Sequence, residues 1–369
     1  MSEAAIQAIT MPKWGLAMEE GKVSAWMAEE GAAIAGGEEI LEIETTKITN
    51  VFESPVAGVL RRRVVVEGET VPVGALIGVA AGAEIPDADI EAFITDFQAN
   101  FVVEASDAAA APEAETITVA GRQLSHLRMG PEDGPPVVLV HGFGGDLNGW
   151  LFNQPVLAED HSVYALDLPG HGRAEKNVAG LDVAGLAALL ADYMEAVGIG
   201  AAHLVGHSLG GAVTLKLAID QPARVSRLTL LSPAGLGEEL NVAYVKGFAG
   251  AEGRKEIKSL LQQLFADPQL VSRDMINEVQ KYKRLDGVTA ALNALADAVF
   301  PGGRQGLVMR DQLATLAMPV QAIWGRDDAI VPPAHGEGLP DNVTLHWLER
   351  TGHMPHMEAA GDVNRLIAG

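Results

Sequence analysis

A serine at position 208 lies in the pattern Gly-x-Ser-x-Gly, formed by Gly206, His207, Ser208, Leu209 and Gly210. An apolar run that predicts a buried strand precedes the pattern, and an apolar run that predicts a helix follows it. Small residues on both sides permit a tight, strained turn that lifts the serine hydroxyl out of the sheet. A hydroxyl attacks a carbonyl poorly at neutral pH unless a neighbouring base takes its proton. Ser208 is therefore a candidate nucleophile that needs a base from elsewhere in the chain.

A second candidate is Lys47, the only amine in the stretch IETTKITNVF (43–52). A weak internal repeat with an offset of 37 residues frames this lysine, and it pairs Gly21, Gly31 and Gly37 with Gly58, Gly68 and Gly74. Short β-rich halves with glycines at matching positions predict one folding unit used twice, in a small, flattened β-barrel of two sheets. Lys47 falls in the link between the halves. The repeat therefore predicts a solvent-exposed hairpin tip for this amine.

The region around Ser208 alternates short aliphatic runs with helical stretches from about residue 117, which predicts a mostly parallel sheet covered by helices. The stretches PVVLVHG (136–142) and HSVYALDLPGHG (161–172) are the expected early strands. Asp167, at the end of the second strand, is expected to hold the loop DLPGHG. Residues 236–316 do not continue the alternation and predict a helical cap over the active site, where substrate choice is often set.

Residues 81–116 separate the two predicted domains, 1–80 and 117–369, and form an acidic, Ala-rich linker without a basic residue. Its end, EASDAAAAPEAE, is typical of a mobile tether. Apolar residues recur at helical spacing in its middle, which predicts a short helix within 86–104 that docks on one of the domains. The alternative is a binding segment for another subunit.

Composition excludes several classes of function. The formal net charge of -23 argues against binding to nucleic acid or to an anionic membrane surface. There is no cysteine, so disulfides, thiolate zinc sites and a cysteine nucleophile are excluded, and we predict no metal site. No apolar run reaches the length of a membrane span, and the start MSEAAIQAIT lacks the features of a signal peptide. We expect a cytoplasmic protein.

The first eighty residues resemble the lipoyl domains of 2-oxo acid dehydrogenase complexes. The stretches MPKWGLAMEEGKVSAWMAEEG, EIETTK and ESPVAGVL carry this resemblance. It implies that Lys47 bears lipoic acid in amide linkage on an exposed hairpin, from which the long arm reaches other active sites. Thr46 stands where that family usually has Asp. Biotin carriers are the nearest alternative, but they have methionines on both sides of the lysine, and Thr46 and Ile48 are not methionines.

Residues 117–369 resemble the α/β-hydrolase superfamily. Its motif order is met by the Ser208 elbow, then an acid in WGRDDAIVP, then a histidine in TGHMPHME. The resemblance implies that Ser208 is the nucleophile, His353 the general base, and Asp328 the group that orients the imidazole and stabilises its charge. The stretch HGFGG (141–145) resembles an oxyanion-hole loop. It implies that the backbone N–H groups of Phe143 and Leu209 face the developing oxyanion.

Two of these residues have neighbours of the same type. Asp328 is preferred to Asp327 because the family pattern sets the acid four residues before a proline, here Pro332. His353 is preferred to His356 because it follows directly after the last predicted strand, VTLHWLE. His356 is expected to line the pocket at most.

The two halves together resemble the E2 acetyltransferase family of acetoin dehydrogenase complexes, as in VHGFGGDLNGWLFN, ALDLPGHG and YKRLDGV. The resemblance implies a thiamine-diphosphate E1 and a flavin-dependent E3 as partners, coenzyme A as co-substrate, and a homo-oligomer. Acetyl would pass from lipoyl-Lys47 through Ser208 to coenzyme A. One alternative is a serine hydrolase, either a thioesterase or a carbon–carbon bond hydrolase. The other is a lipoyl carrier in which the hydrolase fold serves only as a scaffold.

Residues 246–284 carry a local excess of positive charge, with eight Lys or Arg against five Asp or Glu. These cations are either solvated helix faces or groups that contact the phosphates of coenzyme A. The candidates for phosphate contact are Lys255, Lys258, Lys281, Lys283 and Arg284.

Overall fold

The chain folds into two compact units, Met1–Ala111 and Pro112–Gly369. In this computed structural model, the described residues are 6–12, 18, 20–45, 49–101 and 113–369. Lys47, the predicted site of lipoyl attachment, lies outside the described residues, as do its neighbours Thr46 and Ile48. No helix among the described residues is long and apolar enough to cross a bilayer.

The first unit contains two four-stranded antiparallel sheets. Its strands are β1 (Gln7–Thr10), β2 (Glu20–Trp26), β3 (Ala33–Ile34), β4 (Glu39–Glu44), β5 (Thr49–Glu53), β6 (Gly58–Arg63), β7 (Thr70–Pro72) and β8 (Leu76–Ala81). The sheet orders are β1-β8-β6-β3 and β5-β4-β2-β7. Each sheet therefore takes strands from both halves of the repeat, and the predicted flattened barrel of two sheets is confirmed.

Glycines make the tight corners of this unit. Gly31 and Gly68 both have φ of +88°, and Gly37 and Gly74 have φ of +83° and +82°. The repeat thus preserves the left-handed backbone as well as the residue type, and glycine adopts this conformation without a steric penalty. β4 and β5 pair from Glu39↔Glu53 to Glu44↔Thr49, and Lys47 falls between these two strands in the sequence.

One helix, α1 (Asp87–Asn100), packs on the first unit. Its buried residue Ile90 lies in an apolar cluster with Leu76 and Val79 of β8, and Phe93 and Phe97 pack against the same cluster. Salt bridges from Arg61 and Arg62 to acidic residues at the start of the helix add to the contact. The amphipathic middle of the linker region is therefore a docked helix of the β-sheet unit.

The second unit is built on an eight-stranded mixed sheet. Its strands are β9 (Glu115–Val119), β10 (Arg122–Met129), β11 (Pro136–Val140), β12 (Ser162–Asp167), β13 (Ala202–His207), β14 (Val225–Leu231), β15 (Val320–Gly325) and β16 (Val343–Leu348), in the order β16-β15-β14-β13-β11-β12-β10-β9. The strands from β11 to β16 are parallel, whereas β10 is antiparallel to both of its neighbours. Every residue of β13 and β15 is buried, as expected for central strands with helices on both faces.

Helices cover both faces of this sheet and form the segment between β14 and β15. They are α2 (Gln154–Leu157), α3 (Val183–Ala196), α4 (Leu209–Asp220), α5 (Val242–Gly250), α6 (Arg254–Leu261), α7 (Arg273–Lys283), α8 (Val288–Val299), α9 (Pro355–Glu358) and α10 (Ala360–Ala368). Short 3-10 helices lie at Leu147–Trp150, Pro222–Arg224, Gln262–Leu264, Pro268–Leu270, Pro301–Gly303, Arg310–Thr315 and Pro333–Gly336. The helices α5 to α8 lie within residues 236–316, for which the sequence predicts a helical cap, and this segment is here called the cap. Carboxyl ends of parallel strands meet at one edge of the sheet, and the loops there carry the site residues.

Candidate active site

Ser208 occupies the turn between β13 and α4 with φ of +53° and ψ of −116°. A positive φ is unfavourable for a residue with a side chain, and such strain persists only where the surroundings hold it. Two backbone hydrogen bonds do so. The Ser208 N–H donates to the Leu231 carbonyl at 3.0 Å, and the Ser208 carbonyl accepts from the Ala234 N–H at 2.9 Å. The strained serine turn expected from the motif is therefore present and fixed from the end of β14.

The glycines of the motif are required by close backbone contacts. A Cβ atom on Gly206 would lie 2.4 Å from the Gly210 carbonyl oxygen, and one on Gly210 would lie 2.2 Å from the Val140 carbonyl oxygen. A Cβ on Gly142 would lie 2.9 Å from the Ser208 Cβ. Glycine at these positions lets β13, α4 and the loop after β11 converge on Ser208.

Asp328 and His353 form a buried pair. The His353 Nδ1 lies 2.8 Å from Oδ2 of Asp328, and both side chains are almost fully buried. The other contacts of the carboxylate are all with donors: the N–H groups of Ile330 and Val331 at 2.8 and 3.0 Å, and the Trp324 Nε1 at 3.2 Å. A carboxylate whose contacts are all with hydrogen-bond donors is held in one orientation. Nδ1 of His353 then carries the proton, which leaves Nε2 free to accept one.

The loop that carries His353 is fixed from three directions. The His353 N–H donates to the Leu264 carbonyl at 2.7 Å, and the His353 carbonyl lies 2.7 Å from Nε2 of His207, the residue before Ser208. The half-buried carboxylate of Glu358 accepts from the N–H groups on both sides, those of Gly352 and Met354, at 2.9 and 3.2 Å. Burial raises the pKa of Glu358. The contact between His207 and the His353 carbonyl therefore joins the loop that carries His353 to the turn that carries Ser208.

The two predicted oxyanion donors lie in the loops around Ser208. Leu209 is the first residue of α4, and Phe143 lies in the loop after β11. Within the described residues, neither backbone N–H has a protein acceptor. Both amides are available for an oxygen of a bound substrate.

Aromatic side chains from α5 and from the end of α8 pack against Phe143, which lies in the loop after β11. The Phe143 ring lies 6.5 Å from that of Phe248 on α5 and 6.3 Å from that of Phe300 at the end of α8, in edge-to-face geometry. All three rings are buried. These rings therefore form an apolar wall beside the loop that carries Phe143.

The residues with expected structural roles lie near the site. The Asp167 carboxylate accepts from the N–H groups of Leu147 and Arg173, both at 2.8 Å, which confirms that it holds the loop after β12. Burial raises the pKa of Asp167. His356 is fully buried between the rings of Trp150 and His207, at 4.6 and 4.5 Å, and burial lowers its pKa to about 3.

Four of the five predicted phosphate ligands are exposed on the cap: Lys255, Lys258, Lys281 and Arg284. Lys255 lines an open groove of about 520 Å³ together with Gly247, Gly253, Glu256, Ser259 and Leu260. The Lys281 amine pairs with Glu278 at 2.6 Å.

The prediction is wrong for Lys283, which is buried on the inner side of α7. Its amine donates to the carbonyl of Phe248 at 2.8 Å and to that of Ala249. Carbonyls at the end of a helix are favourable partners for a cation. Lys283 therefore caps α5 and is not available to a phosphate.

Glu358 and Trp324 support the His353–Asp328 pair, yet the sequence analysis did not single them out. Trp324 stands four residues before Asp328 at the end of β15, so its place in the motif WGRDDAIVP is the one signal that could have found it. Glu358 also accepts from the Ala266 N–H of the cap at 2.8 Å, and that contact depends on a segment 92 residues away. No local pattern indicates such a contact.

Comparisons with known proteins support both units. Residues 135–360 match the family described as alpha/beta hydrolase fold, and residues 7–79 match the family described as biotin-requiring enzyme. In the part of the chain that the structure describes, no group of three or more His, Asp or Glu side chains could hold a metal ion.

Two relatives match nearly the whole chain, and both are named dihydrolipoyllysine-residue acetyltransferase component of acetoin cleaving system. The one from Cupriavidus necator is 45% identical over 97% of this chain and 96% of its own length. The one from Pseudomonas putida is 46% identical over 98% and 97%, respectively. Among solved structures, a meta-cleavage product hydrolase from Pseudomonas fluorescens IP01 has a TM-score of 0.63 and 25% identity, over 69% of this chain and 96% of that one. The chain therefore belongs to the family of dihydrolipoyllysine-residue acetyltransferase components of acetoin cleaving systems.

Proposed function

We propose that the protein transfers an acetyl group from a dihydrolipoyl thioester to coenzyme A, with Ser208 as nucleophile, His353 as general base and Asp328 as the group that orients the base. The observation that carries this proposal is the strained Ser208 turn tied through His207 to the loop of the buried His353–Asp328 pair. A strained serine turn and an oriented imidazole with one nitrogen available are what nucleophilic acyl transfer requires.

The reaction has two halves. In the first half, Ser208 Oγ attacks the thioester carbonyl carbon while His353 Nε2 takes the hydroxyl proton, and the Phe143 and Leu209 N–H groups stabilise the oxyanion. The C–S bond then breaks, and His353 returns the proton to the leaving sulfur. In the second half, the thiol of coenzyme A gives its proton to His353 and attacks acetyl-Ser208. Collapse of that intermediate returns the proton to Ser208 and releases acetyl-CoA.

We propose Lys47 as the site of lipoic acid attachment. When attached, lipoic acid would supply a dithiol that carries the acetyl group as a thioester. The antiparallel pairing of β4 and β5 up to Glu44↔Thr49 supports this proposal, because Lys47 falls between these two paired strands in the sequence. As a component of an acetoin cleaving system, the protein would work in the cytoplasm, as a homo-oligomer, with a thiamine-diphosphate E1 and a flavin-dependent E3.

For coenzyme A, we propose that Lys255, Lys258 and Arg284 contact the phosphates, with Lys281 as a further cation. The groove beside Lys255 and the exposure of these side chains support this choice. Replacing Lys255 or Lys258 by Glu should raise the KM for coenzyme A and leave the KM for the acetyl donor unchanged. The matched control is Lys216→Glu on α4, outside the cap. An unchanged KM for coenzyme A in both cap variants would contradict the proposal.

A hydrolase is the second candidate, favoured by the structural similarity to a meta-cleavage product hydrolase. The same residues would release acetate if water reached acetyl-Ser208. The aromatic wall of Phe143, Phe248 and Phe300 favours transfer to the thiol, because it limits that access.

One experiment separates the candidates. Purified protein is given S-acetyl-dihydrolipoamide with and without coenzyme A, and acetyl-CoA and acetate are followed together. We expect acetyl-CoA formation that depends on Ser208, with Ser208→Ala as the control. Acetate released at the same rate without coenzyme A identifies a hydrolase. Lys47→Arg should retain this transfer from the free donor and lose turnover of the assembled complex, whereas a simple carrier would catalyse no transfer from the free donor.

A further inference from the structure

Two buried histidines, His141 and His171, connect the loop 141–145, here called the oxyanion loop, with the loop 167–172 that follows β12. The two rings meet edge to face with their centroids 4.8 Å apart. Both side chains are buried, and neither has a part in the proton transfers proposed above. Their function must lie in what their ring nitrogens hold.

The hydrogen bonds fix the tautomer of both rings. The Leu168 N–H donates to Nε2 of His141 at 3.0 Å, and the Gly144 N–H donates to Nε2 of His171 at 3.0 Å. A nitrogen that accepts from an amide carries no proton, so in each neutral ring the proton is on Nδ1. Nδ1 of His141 then donates to the Gly142 carbonyl at 2.8 Å, and Nδ1 of His171 donates to the Pro169 carbonyl at 3.1 Å. Each histidine thus donates within its own loop and accepts from the other loop.

The two bonds to the oxyanion loop act on the two peptide groups of Phe143. The peptide before Phe143 contains the Gly142 carbonyl and the Phe143 N–H, and the peptide after it contains the Gly144 N–H. In a planar trans peptide the C=O and N–H point in opposite directions. Two donors hold the Gly142 carbonyl, Nδ1 of His141 at 2.8 Å and the Gly145 N–H at 3.1 Å, and the shorter bond lets His141 contribute to the direction of the Phe143 N–H. His171 fixes the following peptide through the Gly144 N–H.

We infer that His141 and His171 are positioning residues that aim the Phe143 N–H at the developing oxyanion, with the more direct action from His141. The inference rests on the proposed acyl transfer at Ser208. Neutral rings are required, because a proton on Nε2 would face an N–H donor. Burial holds the pKa of His171 well below the ordinary value for histidine, so this ring stays neutral.

A matched pair of substitutions at His141 isolates the orienting bond. In His141→Asn the amide nitrogen takes the place of Nδ1 and can donate to the Gly142 carbonyl. In His141→Gln the amide oxygen takes the place of Nε2, so it can accept from the Leu168 N–H while the donor to Gly142 is lost. Both variants bury a carboxamide, which balances the effect on stability. Thermal unfolding of both proteins checks this balance.

We expect His141→Gln to lower kcat for acetyl transfer by about 10- to 100-fold, below the loss of a whole oxyanion donor. The KM for the acetyl donor should stay unchanged, and His141→Asn should retain most of the activity. Affinity for a trifluoromethyl ketone, which forms a tetrahedral adduct with a nucleophilic serine, should fall in proportion to kcat. A purely structural role predicts equal losses in both variants, and that result would overturn the inference. Loss confined to KM would overturn it as well.

The same series of variants distinguishes failure of the proposed function from failure of the positioning inference. If Ser208→Ala transfers acetyl as well as the unaltered protein, the proposed function fails, whatever the histidine variants do. If Ser208→Ala is inactive and the two His141 variants are equally active, only the positioning inference fails. His171→Gln and His171→Asn repeat the test at the second histidine, where Gln retains the acceptor for the Gly144 N–H.

Discussion

Replacing Asp328 by Asn removes one charge and leaves the size of the side chain unchanged. The two carboxylate oxygens of Asp328 face donors only, as Oδ1 accepts from Ile330 and Val331 and Oδ2 contacts His353 and Trp324. An amide has one acceptor oxygen and one NH2 group. In either orientation, the NH2 group of the substituted side chain would face donors.

Each orientation has a different consequence. If the NH2 group faces His353, the imidazole must turn its unprotonated nitrogen toward the new amide, and Nε2 then holds a proton and cannot accept one from Ser208. If the NH2 group faces the backbone, the N–H groups of Ile330 and Val331 lose their acceptor. Leaving buried donors unpaired costs about 1 to 3 kcal/mol each, so we expect a loss in stability of about 3 kcal/mol. The wrong tautomer lowers kcat by about 10⁴-fold in a comparable triad.

The assay is acetyl-CoA formation from S-acetyl-dihydrolipoamide and coenzyme A, together with thermal unfolding of the same preparations. Asp327→Asn is the matched control, because Asp327 is exposed and adjacent to Asp328 in the chain. The contact of Asp327 with the Thr351 carbonyl is made by its backbone N–H, which the substitution leaves in place. We expect the control to stay within about twofold of the unaltered protein, since exposed positions change stability little. A folded Asp328→Asn variant with kcat within about tenfold of the unaltered protein would refute the role given to this carboxylate.

Three further predictions rest on burial and close contacts. Phe248→Leu should raise the ratio of acetate to acetyl-CoA, because it thins the wall that limits water at acetyl-Ser208; an unchanged ratio would contradict this. Gly210→Ala should destabilise the protein by about 3 kcal/mol or more, since its Cβ would lie 2.2 Å from a carbonyl oxygen, whereas Gly250→Ala meets no atom within 4 Å and should change stability by less than about 1 kcal/mol in denaturant unfolding. Burial lowers the pKa of His203 from 6.5 to about 3. Between these two pH values His203 binds a proton in the unfolded chain but not in the folded protein, so stability falls as pH drops below 6.5. That loss is about 2 kcal/mol at about pH 5 and should disappear in His203→Gln, with His346→Gln as control; equal pH dependence of unfolding in all three proteins would contradict the assignment.

Features that depend on local backbone geometry were predictable from the sequence. The glycines around Ser208 are required within a few residues of the turn they permit, so the motif alone indicated the strained serine. The glycines at 31, 37, 68 and 74 likewise predicted the corners of the first unit, because few other residue types adopt a left-handed backbone without strain. Strand and helix alternation after residue 117 predicted the sheet, and the interruption of that alternation at 236–316 predicted the cap, because both signals lie in short windows of sequence.

Contacts between distant segments could not be predicted in this way. Lys281 and Lys283 are two residues apart on one helix, yet one is exposed and the other is buried against the end of α5. A turn of about 200° around the helix separates them, and only the packing of α7 decides which face is inward. The exchange of hydrogen bonds between His141 and His171 likewise requires two loops that are 27 residues apart. The sequence showed the motif that contains each histidine, but it did not predict that the two histidines contact each other.

The way in which the acetyl donor reaches Ser208 bears on where selectivity must lie. If Lys47 carries the thioester as proposed, attachment to the same chain would give the donor an effective concentration on the order of millimolar. The site then needs little affinity for the donor. Coenzyme A, the proposed acceptor, would arrive from solution and compete with water for the proposed acyl-serine. Contacts that favour the thiol over water, such as the aromatic wall and the cations of the cap, therefore matter more for the outcome than contacts with the acetyl group. We therefore expect substitutions in the cap to alter the ratio of acetyl-CoA to acetate, whereas substitutions at Asp328 should lower the rate of transfer to both acceptors without altering that ratio.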